Sequence, residues 1–494
     1  MDISGTGLLI GNIVRDAAGR PRALAGTLGE DAVSFGDLDA AAERLATGLR
    51  AAGVGRGDVV VWWSGPSLDS LTVMTACARA GAVFAPLSPL LGESEAGDAI
   101  AYMRPALLVA APETVERAAE LDGPLAVLGA PAPAGSVDLG ALSRAASDID
   151  ADAPGLEDTD PHILYLTSGS TGRPKGVLVS HRASWLRSRR GGGSYGDDLD
   201  GVLCSFPLYH YGGWHYVLEA WLNGTAVHLV RKADGPGLHA ALARRRPNAI
   251  YCIPAVWERL LAKPGDLTGI RYADTGTSAV GDGLFERIAA RLPEARTTVL
   301  YGASEAGRMT ALRADDLAAR PDSVGRPVAP GRVRIAADGE ILFSGPTLMN
   351  GYLDLPEESA AALEDGWYHT GDLGTQDDEG YVRITGRKRE VIRSGGETIS
   401  PAEVETALGT PPGVAELAVV GLPDPRWGEV VCAAVVLGPE GDPPSVEQLR
   451  ERLDGLAPHK HPRLVAVVEA IPRTTATGQV MRTPLRDLIL AAHR

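Results

Sequence analysis

Lysine is almost missing from this chain: Lys175, Lys232, Lys263, Lys388 and Lys460 are the only ones among 47 basic residues. Positive charge as a whole is outweighed by 63 acidic residues, giving a formal net charge of −16 at pH 7. That balance excludes the broad basic face by which proteins bind nucleic acid. Cysteine is equally scarce. Cys77, Cys204, Cys252 and Cys432 stand far apart, with neither metal-ligand nor redox spacing, and read as buried thiols of a reducing compartment. No stretch is apolar enough to span a bilayer, and the start, Met1-Asp2-Ile3-Ser4-Gly5, lacks a basic segment and an apolar signal core. A cytoplasmic protein that meets neither membrane nor nucleic acid is the expectation.

What remains is an ordinary enzyme composition, 45% hydrophobic and 22% charged, in a chain of 494 residues that is too long for one core. Over the first 330 or so residues apolar runs such as Asp58 to Trp63, Leu107 to Ala110, Gly201 to Ser205 and Ala226 to Val230 alternate with helical patterns. The latter run from Leu38 to Ala52, Leu68 to Ala80 and Gly237 to Arg246. Such alternation predicts α/β layers with largely parallel sheets. From Gly331 the pattern turns to short strands (333–335, 340–343, 381–384), a small β-subdomain. The basic turn Gly386-Arg387-Lys388-Arg389 closes it. Beyond lie a helix at 401–408, strands at 416–421, 430–437 and 464–468, and a helix at 446–453, enough for a compact α+β domain. The fold class is thus α/β, with a large domain over 1–388 and a small one over 389–494. The run from Arg187 to Gly193 reads as a solvated loop.

Ten residues carry the chemistry: Thr167-Ser168-Gly169-Ser170-Thr171-Gly172-Arg173-Pro174-Lys175-Gly176 follow the apolar strand Ile163 to Leu166. Glycines let a backbone approach an oxyanion, and bare N–H groups, hydroxyls and an ammonium supply donors. This is a phosphate cradle. It is not the P-loop of kinases, whose glycine spacing differs and whose lysine opens a helix. The segment resembles the phosphate-binding loop of the adenylate-forming superfamily: acyl- and aryl-CoA synthetases, adenylation domains and luciferases. Those enzymes activate a carboxylic acid with ATP as an acyl-adenylate, and most then pass the acyl group to a thiol.

Further motifs follow in the family's order. The resemblance implies that Ala82 to Leu87 is structural and that Pro207-Leu208-Tyr209-His210-Tyr211-Gly212-Gly213 lines the acyl pocket, with His210 as wall or gate. Tyr209, Tyr211, Trp214, Tyr216 and Trp257 fit a bulky apolar pocket or simply a core. Gly276-Thr277-Ser278 lies where the family passes a loop over adenine. Tyr301-Gly302-Ala303-Ser304-Glu305 would flank adenine with Tyr301, meet the α-phosphate with Ser304 and hold Mg²⁺ with Glu305. Asp372, in Trp367-Tyr368-His369-Thr370-Gly371-Asp372, would accept hydrogen bonds from the ribose diol. Arg387 would sit near ribose and phosphate, and Arg389 falls at the hinge on which the small domain turns. Gly395 and Gly396, in Arg393 to Ile399, would border the path of the CoA pantetheine arm.

One motif breaks. The family's P-[KR]-T-x-x-G-K reads here Pro472-Arg473-Thr474-Thr475-Ala476-Thr477-Gly478-Gln479, with one residue inserted and Gln479 in place of the lysine that bridges carboxylate and α-phosphate. A neutral amide cannot offset two anions brought together. The expectation is an enzyme that joins an acyl-adenylate to CoA with its adenylating half-reaction damaged. That implies a separate ligase supplying the adenylate, and a specialised pathway. A complete two-step acyl-CoA synthetase, transfer to another acceptor such as a carrier-protein thiol, and a non-catalytic adenylate-binding protein stay open. Sequence sets neither the acid nor the oligomeric state.

Overall fold

The computed structural model describes residues 7–145, 149–167, 174–188, 195, 198–276, 283–395, 397–439, 441–453, 455–474 and 478–492. By compactness the chain forms two units, one reaching to residue 319 with 327–332 and 343–368, the other comprising 320–326, 333–342 and 369 onward.

The first unit is layered α/β. One sheet has, among the described residues, the strand order Gly351–Tyr352, Lys175–Ser180, Pro161–Thr167, Val83–Leu87, Val59–Trp63, Leu107–Ala110, Leu125–Val127, Val137–Asp138. Its first three strands are antiparallel and the rest run parallel. Val59–Trp63 (VVVWW) is buried throughout, as a central parallel strand covered on both faces requires. The helix after it, Leu68–Ala80, starts where the Ser67 side chain accepts from the Ser70 N–H and stops at Gly81, whose φ of 73° suits glycine. A second sheet carries Gly307–Leu312, Arg296–Ala303, Tyr272–Gly276, Ala249–Tyr251, Val202–Cys204, Val227–Leu229, Leu24–Leu28 and Asp31–Ser34 in that order. Trp214, Tyr216 and Trp257 lie in the core beside it, at most 3% exposed. Of the aromatic residues considered for an acyl pocket these three are core packing. Ala82 to Leu87 is likewise buried structure.

The second unit contains most of a four-stranded sheet, Arg332–Ile335, Glu340–Ser344, Tyr368–Gln376 and Val382–Arg387. Its other sheet is built on the hairpin Val414–Asp424 and Gly428–Leu437, with Leu464–Val467 parallel to the latter. Helices Pro401–Leu408 and Val446–Glu451 pack through Val404, Leu408 and Leu449 on one face, while Leu485 and Ile489 of Arg482–Ala492 belong to a separate apolar cluster. The α/β class, with a large N-terminal and a small C-terminal domain, is the architecture expected from the sequence. No described helix is long and apolar enough to cross a membrane.

Candidate active site

Two antiparallel strands bring the ends of the phosphate-loop motif side by side. Thr167 lies opposite Lys175, and the Thr167 hydroxyl donates to the Lys175 carbonyl over 3.3 Å. Ser168, Gly169, Ser170, Thr171 and Gly172, between them, lie outside the described residues. The Lys175 ammonium rests 4.7 Å from the ring centroid of Tyr352. The Tyr352 hydroxyl in turn donates to Glu305 Oε1 at 3.0 Å, so Lys175 and Glu305, distant in sequence, share one aromatic neighbour.

The backbone of Ser304 and Glu305 is held from behind. Arg187 donates from its two Nη atoms to the Ser304 and Glu305 carbonyls at 3.0 and 3.1 Å, and from Nε to the Thr347 carbonyl at 2.8 Å. The Met349 N–H donates to the same Glu305 carbonyl at 2.7 Å. Arg187 is 4% exposed, and burial pulls its pKa below the ordinary value for arginine. The sequence reading placed this residue in a solvated loop. Instead it lies in the last turn of the helix His181–Ser188 and turns inward, where its planar fork of N–H donors reaches three backbone carbonyls. Residues 189–194 of the same run lie outside the described residues. Neither Arg187 nor Tyr352 stood out in the sequence. The first was hidden in a basic run, and the second lies in a two-residue strand too short to show a period.

Tyr301 is buried in the strand Arg296–Ala303. A Cβ on the next residue, Gly302, would lie 2.2 Å from the Gly307 carbonyl oxygen, so the hairpin itself demands glycine there. Gly276 is opposite Leu300 in the neighbouring strand, and its Cβ would lie 2.1 Å from the Leu300 carbonyl oxygen. Sheet packing therefore accounts for this glycine. Thr277 lies outside the described residues. His210 precedes the helix Tyr211–Leu222, with its ring 4.6 Å from that of Tyr209. Burial lowers the His210 pKa to about 4, so the ring is neutral near pH 7 and suits a pocket wall.

In the second unit Asp372 and Arg387 are cross-strand partners, with Arg387 Nε 3.0 Å from Asp372 Oδ1. The preceding turn is fixed by Glu340, which accepts from the Gly371 N–H at 2.9 Å and from Lys388 Nζ at 2.9 Å. Burial works against the charge on Glu340, but Lys388, His369 and the Gly371 N–H hold its carboxyl below the usual range. Gly371 has a φ of 72°, a conformation that glycine alone adopts cheaply. Asp372→Ala should weaken AMP binding by about 10²-fold, the scale of losing hydrogen bonds to a charged acceptor. Calorimetry with AMP checks it, and an unchanged affinity would remove Asp372 from the nucleotide site.

Arg389 lies in the turn after Arg387, where the Glu390 N–H donates to the Arg387 carbonyl at 3.0 Å. Gly395 has a φ of 61°, and its Cβ would come 2.8 Å from the Trp427 ring. Gly396 lies outside the described residues. Gln479 pairs with Thr474: its N–H donates to Thr474 Oγ1 at 3.0 Å and its carbonyl accepts from the Thr474 N–H at 2.8 Å. The inserted residue falls within 475–477, outside the described residues. Lys460 is 2.6 Å from Glu403. Arg473 meets Glu416 and the Gly478 carbonyl, both at 2.9 Å, and Arg482 meets Glu390 and Glu405, both at 2.8 Å.

The chain is similar to known proteins over nearly its whole length. Residues 13–353 match the AMP-binding enzyme family, and 403–478 match the AMP-binding enzyme C-terminal domain. The chain belongs to the AMP-binding enzyme family. Indoleacetate–CoA ligase of Aromatoleum aromaticum is 35% identical, over 92% of this chain and 93% of its own. Feruloyl-CoA synthase of an Amycolatopsis species is also 35% identical, over 96% and 97%. Among solved structures, ATP-bound MatB from Rhodopseudomonas palustris superposes with a TM-score of 0.85 at 28% identity, covering 99% of this chain and 100% of that one. This AMP-binding enzyme is an acid–thiol ligase of the acyl-CoA synthetase kind, a family that uses ATP or AMP and coenzyme A. Among the described residues no group of three or more His, Cys, Asp or Glu is placed to hold a metal.

Proposed function

We propose that this enzyme forms an acyl-CoA thioester from an acyl-adenylate and CoA, and that its ATP-dependent adenylation half-reaction is weak. In the step it retains, the CoA sulfur bonds to the acyl carbon, the bond from that carbon to the AMP phosphate oxygen breaks, and AMP leaves as the anion while the thiol proton passes to solvent water. The observation that carries the reading is Gln479 at the position of the bridging lysine. Support comes from the cations near it in sequence: Lys460, Arg473 and Arg482 are each engaged with carboxylates of their own unit. Losing one preorganised donor to a transition state costs about 10²–10³ in rate.

In this proposal Asp372 takes the ribose diol, Arg387 lies near ribose and phosphate, Tyr301, Gly276 and Thr277 flank adenine, and Ser304 meets the α-phosphate. Thr167 to Gly172 and Lys175 cradle the remaining phosphates, Glu305 is the protein ligand of Mg²⁺, and the ion when bound neutralises phosphate charge. His210 lines the acyl pocket, Gly395 and Gly396 border the pantetheine arm, Arg389 is the hinge, and a separate adenylating ligase supplies the substrate. The acid is proposed to be aromatic. The relatives named for indoleacetate and ferulate support this, as do Tyr209 and Tyr211 beside His210.

A second reading is the complete synthetase: acid, ATP and CoA giving acyl-CoA, AMP and pyrophosphate. The retention of Lys175 and Glu305 around Tyr352 favours it, because an enzyme fed with adenylate has little use for groups that hold the outer phosphates. The test is to offer a panel of aryl acids with ATP and CoA, then the synthetic adenylates with CoA, following pyrophosphate, AMP and thioester. Thioester from the adenylate, with pyrophosphate release slower by at least about 10², is expected. Ordinary turnover from acid and ATP would establish the second reading instead.

A further inference from the structure

Lys175 and Glu305 carry opposite charges, and among the described residues Lys175 forms no ion pair; both approach the same tyrosine. We infer that Tyr352 is a positioning residue of the nucleotide site, holding the Lys175 ammonium over its ring and the Glu305 carboxylate on its hydroxyl. The two charges stay apart as a result. An ammonium paired directly to a carboxylate offers less to an incoming phosphate, and a carboxylate so paired offers less to a cation. A ring face attracts the ammonium without neutralising it, and a phenol proton orients a carboxylate oxygen while the second oxygen keeps its lone pairs. Tyr352 is thus a neutral spacer with two different handles.

The backbone makes that spacing repeatable. Tyr352 lies opposite Val177 in the edge pairing of Gly351–Tyr352 with Lys175–Ser180, so Lys175 is its diagonal neighbour two residues along, within reach of a long side chain. Two further bonds pin this pairing: the Leu353 N–H donates to the Gly176 carbonyl at 2.8 Å and the Asn350 N–H to the Leu178 carbonyl at 2.8 Å. Tyr102 braces it from the side, its hydroxyl donating to the Leu353 carbonyl at 2.8 Å and accepting from the Gly176 N–H at 3.1 Å. Glu305 is anchored separately, through its carbonyl, by Arg187 and Met349. Lys175, Glu305 and Tyr352 are all half-buried, neither locked in the core nor loose at the surface.

The inference rests on the proposed phosphate role of Lys175 and Mg²⁺ role of Glu305, and the experiment separates the two. Binding of ATP, at graded Mg²⁺, and of AMP is measured by calorimetry on the full-length protein without acid or CoA. The variants are Tyr352→Phe, Tyr352→Leu, Lys175→Ala and Glu305→Ala, with thermal melts as a check on folding. Tyr352→Phe keeps the ring and loses the hydroxyl, so ATP binding should need about 3- to 10-fold more Mg²⁺ while affinity at saturating Mg²⁺ is retained. Tyr352→Leu loses both handles and should also weaken ATP about 3- to 10-fold at saturating Mg²⁺, with AMP affinity unchanged. If Lys175→Ala and Glu305→Ala weaken ATP but both Tyr352 variants bind it as wild type does, the role of Tyr352 is overturned and the site assignment stands. If Tyr352→Leu weakens AMP as much as ATP, its role is general packing and the inference fails. Should Tyr352→Leu not fold, the Mg²⁺ shift in Tyr352→Phe decides. If Lys175→Ala and Glu305→Ala leave ATP binding untouched, the site assignment falls and takes the inference with it.

Discussion

Gln479→Lys should raise ATP–pyrophosphate exchange with the cognate acid by about 10²-fold or more, the rate worth of one preorganised transition-state donor. The wild type should convert preformed adenylate plus CoA to thioester at a rate that this substitution leaves unchanged, because AMP departure needs no new charge pairing between two bound anions. The Gln479 N–H on Thr474 Oγ1 sets where a lysine at 479 would start. The family spacing has one residue fewer before the glycine, so a second variant that also deletes Thr475 should outperform the single substitution. Exchange that neither variant raises, in a protein whose wild type already exchanges briskly, would assign adenylation to other groups and the complete synthetase reading would hold.

The second large effect concerns acid. His162, His181, His210, His215 and His228 all belong to the first unit, and burial holds each below the ordinary histidine pKa. His181, His210, His215 and His228 are lowered to about 4. His162 and His181 stack on each other at 4.8 Å, which adds repulsion to desolvation for any proton placed on His162. The sign follows from proton counting. Between the unfolded value of about 6.5 and a folded value near 4, the unfolded chain binds protons that the folded one refuses. Stability is therefore highest above the unfolded pKa and is lost as pH falls through that window. Each such histidine contributes a slope of up to ~1.4 kcal/mol per pH unit. Glu219, held below the usual carboxyl range by Arg308 and His215 against the effect of its burial, adds acid lability of the same sign. The urea midpoint of the first unit should drop steeply from pH 6.5 to 4.5, with an uptake of several protons on unfolding at pH 5.5. A flat midpoint from pH 7 to pH 5 would show that these rings are not held neutral.

The sequence by itself determined the order of most elements and nominated the candidate site residues. Runs such as 59–63 and 107–110 declare buried strands, and the helix 401–408 is announced by Ser400, Pro401 and its apolar spacing. Lys175, Glu305, Asp372 and Arg387 stood out as candidates because each sits in a local motif. Gln479 stood out as a proposed departure from one. What the tertiary structure alone decided is which of them meet. Asp372 and Arg387 are partners because a strand register aligns them, and register is a property of pairing, not of either segment. Gly276 and Gly302 prove to be demanded by neighbouring carbonyls, where a motif reading looks to the ligand. Tyr352 and Arg187 carried no local signal at all. A lone tyrosine in a two-residue strand and an arginine in a basic run acquire meaning only when the chain brings Lys175, Ser304 and Glu305 to them. Long-range packing sets that geometry, and no window along the sequence contains it.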